Sequence, residues 1–294
     1  MGYLGLTMGK VTTSDGVTLR YLEAGSGAPL VMIPGWSQTA AQYKHQLEGL
    51  STRYHVIALD MRGHGDSDKP SHGYRISRFA KDLHDVLAAL DLTEVNLLSH
   101  SLGCAVVWCY LDMFGPRRID KLIFVDQSPF LTENPSWSKF ERDAAAYALT
   151  SEQRRDPISL YEIKNLIDAV TSLAGPHGEA VTRAFVGGLF TERVSEEEKA
   201  WAIERMLMLP RAYAACLIYD HALQSWFDVV TRIDRPTLLI GGKASQIPWK
   251  SMQWMHEHIP GSRLEIFEEA DGGKHFTFME NPETFNRLVA DFIG

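Results

Sequence analysis

The fold is decided by the stretch Val95-Asn96-Leu97-Leu98-Ser99-His100-Ser101-Leu102-Gly103-Cys104. Its first four residues are typical of a short buried strand, and the apolar run that begins at Leu102 is typical of a buried helix. Ser101 stands between the two. A strand that runs through a serine directly into a helix predicts a nucleophile elbow, a strained turn that exposes the serine hydroxyl above a sheet.

The elbow requires small residues two positions before and two positions after the serine, because the backbone folds back on itself there. Gly103 satisfies the second position. At the first position Ser99 replaces the usual glycine, which is a departure from the motif, although a serine is small enough to fit.

Short apolar strands alternate with helical patterns on both sides of this stretch. The predicted strands are Val17–Glu23, which we interpret as an antiparallel edge strand, Leu30–Ile33, His55–Leu59, Val95–Leu98, Lys121–Val125, Thr237–Ile240 and Arg263–Phe267. The predicted helices are Ile76–Leu90, Leu102–Phe114, Trp249–His258 and a last helix that Asn281-Pro282 opens. This alternation predicts an α/β fold with a doubly wound, mostly parallel sheet and helices on both faces.

The alternation stops near Pro129 and resumes at Thr237. Between Pro129 and about Trp226 the patterns are helical and rich in large apolar side chains. We therefore predict a helical insertion in an α/β core, whose strands on either side of the insertion share one sheet.

A serine nucleophile needs a base, and eleven histidines compete for that role. His275 follows the last core strand, and a loop at the carboxyl end of a strand is where a doubly wound sheet places its site. His64 is interpreted as a surface or turn residue, and His100 should point away from the reacting atom because it adjoins the serine. His256 and His258 face different ways on one helix, so they form no metal pair.

The third member of such a site is an acid that orients the histidine. One common position is the loop after Thr237–Ile240, but the stretch from Gly241 to Pro248 contains no carboxylate. Asp126 closes the strand that follows the elbow helix, on the same edge of the sheet. We predict that Asp126 orients His275. Weaker candidates lie on the histidine's own loop: Glu268, Glu269 and Asp271.

Two backbone N–H groups are the predicted oxyanion donors. The N–H of Leu102 lies at a helix N-terminus directly after the elbow. The N–H of Trp36 follows Pro34-Gly35 in the loop after an early strand, where a glycine permits close approach.

Composition excludes several classes of protein. The net charge of −8 argues against a nucleic-acid binder and against docking onto anionic lipid. The three cysteines form no disulfide framework, and the first eight residues lack the features of a signal peptide, so we expect a cytoplasmic protein. There is no GxGxxG, no GxxxxGK[ST] and no Cys or His cluster with metal spacing.

Together these motifs resemble the α/β-hydrolase superfamily over nearly the whole chain outside the insertion. The motifs are Pro34-Gly35-Trp36, Asp60-Met61-Arg62-Gly63-His64-Gly65-Asp66-Ser67, Ser99-His100-Ser101-Leu102-Gly103, Val125-Asp126-Gln127-Ser128-Pro129 and Gly272-Gly273-Lys274-His275-Phe276. The resemblance implies a core of residues 1–128 and 229–294, a helical cap of residues 129–228 that closes over the serine, no cofactor and no metal. The cap residues expected to face the cavity are Trp137, Phe185, Met206, Met208 and Trp226.

The resemblance implies a serine hydrolase that cleaves an ester or lactone of a largely apolar, small to medium substrate, with Ser101, His275 and Asp126 as catalytic residues. Two alternatives remain open. Cofactor-free dioxygenases of 3-hydroxy-4-oxoquinolines are similar at Trp36 and at Ser99-His100-Ser101; in them a His–Asp pair removes a substrate proton. A non-catalytic ligand receptor on the same fold is the other alternative. Oligomeric state is not predicted.

Overall fold

The computed structural model describes residues 5–131 and 163–294, and of residues 163–165 only the backbone. The strands are β1 Thr7–Thr12, β2 Thr18–Ala24, β3 Ala28–Ile33, β4 Tyr54–Asp60, β5 Val95–His100, β6 Ile119–Val125, β7 Thr237–Gly242 and β8 Arg263–Phe267. The α-helices are α1 Lys44–Leu50, α2 Ile76–Ala89, α3 Leu102–Phe114, α4 Ile163–Ala174, α5 Gly178–Gly187, α6 Glu196–Met206, α7 Arg211–Ala222, α8 Phe227–Val230, α9 Trp249–His258, α10 Thr277–Glu280 and α11 Pro282–Ile293.

The strands form one sheet in the order β1-β2-β4-β3-β5-β6-β7-β8. β2 is antiparallel to both of its neighbours, and the strands from β4 to β8 run parallel. The predicted mostly parallel α/β sheet is therefore confirmed. β3 lies between β4 and β5, so the chain leaves its carboxyl end in one direction and leaves β5 in the other. Such a switch point opens a crevice at the sheet edge.

Burial explains why these residues form strands and helices. Leu30–Ile33 in β3 and Leu97–Leu98 in β5 are completely buried, as expected of strands covered by helices on both faces. In α2 the buried residues recur at helical spacing, from Ile76 through Phe79 and Leu83 to Val86, so one face of α2 packs on the sheet. Packing of helices such as α2 holds the sheet in place, and the loops project from its edges.

The edge of the sheet differs from the prediction. The strand predicted at Val17–Glu23 is antiparallel as expected, but β1 pairs with its outer side, so β1 is the edge strand. β1 was missed because Val11 is its only buried residue. An edge strand with a single buried side chain carries too little hydrophobic alternation to be recognised.

The described part of the insertion is helical and lies against the carboxyl edge of the sheet. The Trp36 indole N–H donates to the carbonyl oxygen of Ala214 in α7 at 2.8 Å, and the His275 N–H donates to that of Leu189 at 3.3 Å. Residues 132–162, with Trp137, lie outside the described residues. The domain boundaries at 129 and 228 stay a prediction. In residues 5–131 and 163–294 no helix is long and apolar enough to cross a bilayer.

His221 in α7 is an unusual member of the buried core. Its side chain is 3% exposed, and neither ring nitrogen has a hydrogen-bond partner in residues 5–131 and 163–294. Burial lowers the pKa of His221 to about 3, from an ordinary value of 6.5. Between about pH 3 and pH 6.5 the ring is therefore neutral in the folded protein, whereas the unfolded chain would carry a proton there.

We predict that His221→Leu makes the protein less sensitive to acid. Between pH 6.5 and pH 4 the unfolded state binds a proton at His221 that the folded state does not, so the free energy of unfolding falls by up to about 1.4 kcal/mol per pH unit from this group. His221→Leu removes that loss. Urea unfolding at pH 8 and pH 5 measures it.

The matched control is His177→Leu, because His177 is exposed and meets water in both states. The control should unfold with the pH dependence of the wild-type protein. If His221→Leu loses as much stability between pH 8 and pH 5 as the wild type does, the assignment of His221 as an acid-sensitive group is wrong.

Candidate active site

Ser101 occupies a strained turn between β5 and α3. Its backbone angles are φ 53° and ψ −130°, a conformation that non-glycine residues rarely adopt. Space behind the turn is closed: a β-carbon on Gly103 would lie 2.6 Å from the carbonyl oxygen of Ile33. Only glycine fits there, which is the steric requirement inferred from the sequence.

Ser99 occupies the position where the motif usually has glycine. Its side chain is completely buried, and its hydroxyl lies 3.4 Å from the Cys104 thiol. Burial raises the pKa of that thiol to about 12, so Cys104 stays protonated and unreactive at neutral pH. The elbow therefore accommodates Ser99 and keeps its sharp turn.

His275 is the histidine that the structure brings to Ser101. Its Nε2 lies 3.1 Å from Ser101 Oγ, and its Nδ1 lies 2.6 Å from Asp126 Oδ2. Burial lowers the pKa of the His275 imidazole, so the ring is neutral near pH 7. With Nδ1 donating to the carboxylate, Nε2 is free to accept the serine proton.

Asp126 follows β6 directly and has a left-handed backbone, with φ 51°. Besides His275, its carboxylate accepts from the Ser245 hydroxyl at 2.5 Å and from the Gly242 N–H at 3.2 Å. Burial raises the pKa of Asp126, and these two hydrogen bonds act in the opposite direction. Three donors around one carboxylate favour its ionised form.

Ser245 was not among the residues singled out from the sequence. It lies in the loop after β7, the loop that lacks a carboxylate, and its hydroxyl reaches across to the acid after β6. The detectable signal was the absence of an acid from that loop, but nothing in the sequence indicated which of its residues would meet Asp126.

The peptide group of His275 is held on both sides. Its N–H donates to the Leu189 carbonyl, and its carbonyl accepts from His100 Nε2 at 2.8 Å. The Phe276 ring stacks on the Phe190 ring with 4.5 Å between centroids. A histidine on a loop is thereby fixed as firmly as one on a strand.

Two free backbone donors lie beside Ser101. The N–H groups of Trp36 and Leu102 donate to no acceptor among the residues that the structure describes. Gly35 is in contact with the elbow, because a β-carbon placed on it would lie 2.8 Å from Ser101 Cβ. The predicted donors are thus both available next to the serine, in an arrangement that suits a developing oxyanion.

The loop that carries Trp36 is shaped by buried polar contacts. The Gly35 N–H donates to Gln38 Oε1 at 2.8 Å, and Gln38 Nε2 lies 2.8 Å from His100 Nδ1. Because His100 Nε2 donates to the His275 carbonyl, one chain of hydrogen bonds joins the Trp36 loop to the base. The His100 ring therefore links the Trp36 loop to the backbone of His275.

His64 lies in a turn, as the sequence predicted, but it is buried and is not a surface residue. His64 is 1% exposed, and its Nε2 accepts from the Ser37 N–H at 3.1 Å. Its Nδ1 lies 2.9 Å from the Arg62 carbonyl, so it is the protonated nitrogen. Burial lowers the pKa of His64 to about 4, and the neutral ring supports the Trp36 loop from beneath.

The weaker candidates lie away from the base. Glu268, Glu269 and Asp271 are exposed, and Glu268 pairs with Lys243 at 2.5 Å. His256 Nδ1 bonds to the Ser262 hydroxyl at 2.8 Å. In residues 5–131 and 163–294 no three His, Cys, Asp or Glu side chains are grouped as metal ligands.

Comparison with known proteins agrees with this architecture. Residues 28–187 match the family model described as alpha/beta hydrolase fold. A non-heme chloroperoxidase of Streptomyces lividans is 40% identical over 292 residues, which cover 97% of this chain and 99% of that protein.

Two solved structures superpose on nearly the whole chain. An esterase from Exiguobacterium antarcticum is 26% identical with a TM-score of 0.78, over 97% of this chain and 99% of the esterase. A bromoperoxidase from Bacillus anthracis is 22% identical with a TM-score of 0.84, over 98% and 99%, and so shares the fold. The sheet order, the elbow and these matches together place the chain in the alpha/beta hydrolase fold family.

Proposed function

We propose that the protein is a serine hydrolase that cleaves an ester or lactone of a largely apolar, small to medium substrate through an acyl-enzyme. The observation that carries the proposal is the continuous hydrogen-bonded chain from Ser101 through His275 to Asp126, with distances of 3.1 and 2.6 Å, beside two free N–H donors. This is the arrangement that nucleophilic acyl transfer requires.

In the proposed acylation step, Ser101 Oγ attacks the carbonyl carbon while His275 Nε2 takes the hydroxyl proton. The carbonyl oxygen becomes an anion, which the N–H groups of Trp36 and Leu102 stabilise. Asp126 keeps the proton on Nδ1 and stabilises the imidazolium. His275 then protonates the leaving alkoxide, and the substrate carbonyl remains bonded to Ser101.

Deacylation uses the same groups in the reverse sense. His275 removes a proton from water, the hydroxide attacks the acyl carbon, and the carboxylic acid leaves as Ser101 regains its proton. No other residue has to move, because the base already lies within hydrogen-bond distance of both the serine and the acid.

The aromatic surroundings support an apolar substrate. The Phe185 ring of α5 meets the Trp36 ring edge-on, with 6.1 Å between centroids. Trp226 is buried close to the segment after Asp126, because its backbone N–H donates to the Pro129 carbonyl at 3.0 Å. Pockets built from such side chains favour apolar ligands. The prediction that Phe185, Met206, Met208 and Trp226 face the cavity stays open.

Ser101→Ala is predicted to lower kcat about 10⁴-fold or more, because the alanine variant has no nucleophile to form an acyl-enzyme. A fluorophosphonate should label the wild-type protein at Ser101 and leave the variant unlabelled, as mass spectrometry of the labelled peptide shows.

The matched control is Ser99→Gly, which restores the residue usual in the elbow and should keep both activity and labelling. If Ser101→Ala keeps about a tenth of the activity, covalent catalysis is wrong. Loss of that activity under argon would then favour the oxygen-dependent reaction of a His–Asp pair.

Asp126→Asn is predicted to keep the fold and to lower the rate about 10³–10⁴-fold near neutral pH, because an amide at this position favours the wrong imidazole tautomer. Steady-state kinetics with circular dichroism as a check of folding measures both effects.

Ser245→Ala should lower kcat by a smaller factor, about tenfold, since it removes one of three donors to the Asp126 carboxylate.

The matched controls are Glu268→Gln, Glu269→Gln and Asp271→Asn, all on the histidine's own loop and all exposed. They should leave kcat unchanged within about twofold. An essential loop acid together with a nearly silent Asp126→Asn would contradict the assignment of the acid, although the Ser101–His275 pair could stand.

A second candidate activity comes from the 40% identical relative, which is named a non-heme chloroperoxidase. An acyl-enzyme can be attacked by hydrogen peroxide in place of water. The bond between Ser101 Oγ and the acyl carbon then breaks, a peroxy acid leaves, and the serine regains its proton. The peroxy acid transfers an oxygen to chloride, which with a proton from water becomes hypochlorous acid, and is itself reduced to the carboxylic acid, so the proposed reaction uses no metal from the protein.

We predict that the wild-type protein halogenates a diketone such as monochlorodimedone when hydrogen peroxide, acetate and chloride are all present. Because both activities pass through the same acyl-enzyme, Ser101→Ala should abolish the halogenation together with the ester hydrolysis. Halogenation that survives Ser101→Ala, or that is absent when the esterase is fully active, would contradict this second activity.

A further inference from the structure

Arg211, the first residue of α7, presents a guanidinium to neutral acceptors only. Nε donates to the Leu209 carbonyl at 3.0 Å, Nη1 to Thr182 Oγ1 at 3.1 Å and Nη2 to the Met206 carbonyl at 2.7 Å. Within the described part of the chain no carboxylate oxygen lies within 4.0 Å of it. A partly buried cation is thus hydrogen-bonded but has no ion-pair partner among the described residues.

The position of this cation is behind the Trp36 loop. The guanidinium carbon lies 5.6 Å from the centre of the Trp36 ring, and Nη2 lies 3.4 Å from Ser37 Oγ. The Trp36 indole N–H bonds to the Ala214 carbonyl, one turn further along α7. The first turn of α7 therefore holds the side chain of the residue whose peptide N–H is a free donor beside Ser101.

The charge of Arg211 persists at neutral pH. Burial lowers its pKa to about 10, which leaves the guanidinium protonated at pH 7. The acidic side chain that favours its charged form, Glu179, is exposed, so water screens that interaction. His64, on the other side of Ser37, is neutral. The loop therefore faces a cation that no described carboxylate pairs with directly.

We propose that Arg211 is a positioning residue of the oxyanion hole, acting through Trp36 and Ser37. It holds the loop by stacking and hydrogen bonding, and its positive charge stabilises the anion that forms on the substrate carbonyl oxygen. The inference rests on the proposed serine hydrolase. A bound ester is neutral and its tetrahedral intermediate is anionic, so the charge lowers the barrier more than it strengthens substrate binding.

The test compares Arg211→Gln with Arg211→Lys. Arg211→Gln keeps a polar side chain without charge and should lower kcat about 10- to 100-fold, with KM for a neutral ester changed less than about twofold. Arg211→Lys should recover most of the loss. Binding of phenylboronic acid, whose adduct with Ser101 is a tetrahedral anion, should weaken in Arg211→Gln in proportion to kcat/KM.

The matched control is Arg183→Gln on α5, because Arg183 is exposed and already paired with Glu204 at 2.6 Å. It should leave kcat, KM and boronate affinity unchanged. An unchanged kcat in Arg211→Gln overturns the inference, and so does a loss of kcat that Arg211→Lys does not recover and that boronate affinity does not follow.

A further measurement uses only Arg211→Lys, so it tests the inference even if Arg211→Gln does not fold. A lysine there loses its charge on deprotonation, and burial lowers its pKa below the ordinary 10.4. The kcat of Arg211→Lys should fall between pH 8 and 9, where that of the wild type stays nearly flat because its guanidinium is still mostly protonated; parallel profiles overturn the inference. If Ser101→Ala is active, the proposed function fails; if it is inactive and Arg211→Gln is not impaired, only this inference fails.

Discussion

The close contact between the elbow and the loop after β3 is the constraint on which the rest of the site depends. Gly103 has no room for a β-carbon beneath the Ile33 carbonyl, and Gly35 has none beside Ser101. The two backbones therefore touch. That contact brings the loop that carries the Trp36 N–H next to the turn that carries Ser101 and the Leu102 N–H. The strained conformation of Ser101 costs on the order of 1–3 kcal/mol and persists because packing on both sides leaves no relaxed alternative.

The parallel sheet explains why the acid can follow β6 when the base follows β8. Carboxyl ends of neighbouring parallel strands meet at one edge, so loops after β6, β7 and β8 lie side by side. A β-carbon on Gly242 would lie 2.4 Å from the Gly273 carbonyl, which shows how closely the last two loops approach each other. The loop after β7 contributes Ser245 and the Gly242 N–H, which hold an acid that the neighbouring strand supplies.

How much of the structure could be predicted from the sequence depends on how far apart in the chain the interacting residues lie. The elbow, most core strands and the order of Ser101, Asp126 and His275 are visible in local patterns, because strand–turn–helix junctions need particular residues at fixed spacing. The contacts of Ser245, Gln38 and His64 join segments far apart in the chain, and no local pattern encodes them. β1 was not predicted because an exposed edge strand lacks the alternation of apolar and polar residues that marks a strand in the sequence. The insertion was recognisable as helical, but which of its residues reach the site depends on packing.

Both halves of the site are held by the insertion as well as by the core. Leu189 fixes the peptide of His275, and α7 fixes the ring of Trp36 through Ala214 and Arg211. Hydrogen bonds of the Gln38 and His100 side chains also join the loop that carries Trp36 to the loop that carries His275. A displacement of the insertion would therefore move the base and the oxyanion donor together. Since catalytic groups must lie within a few tenths of an ångström of their working positions, these contacts tie the alignment of the proposed reaction to the position of the insertion.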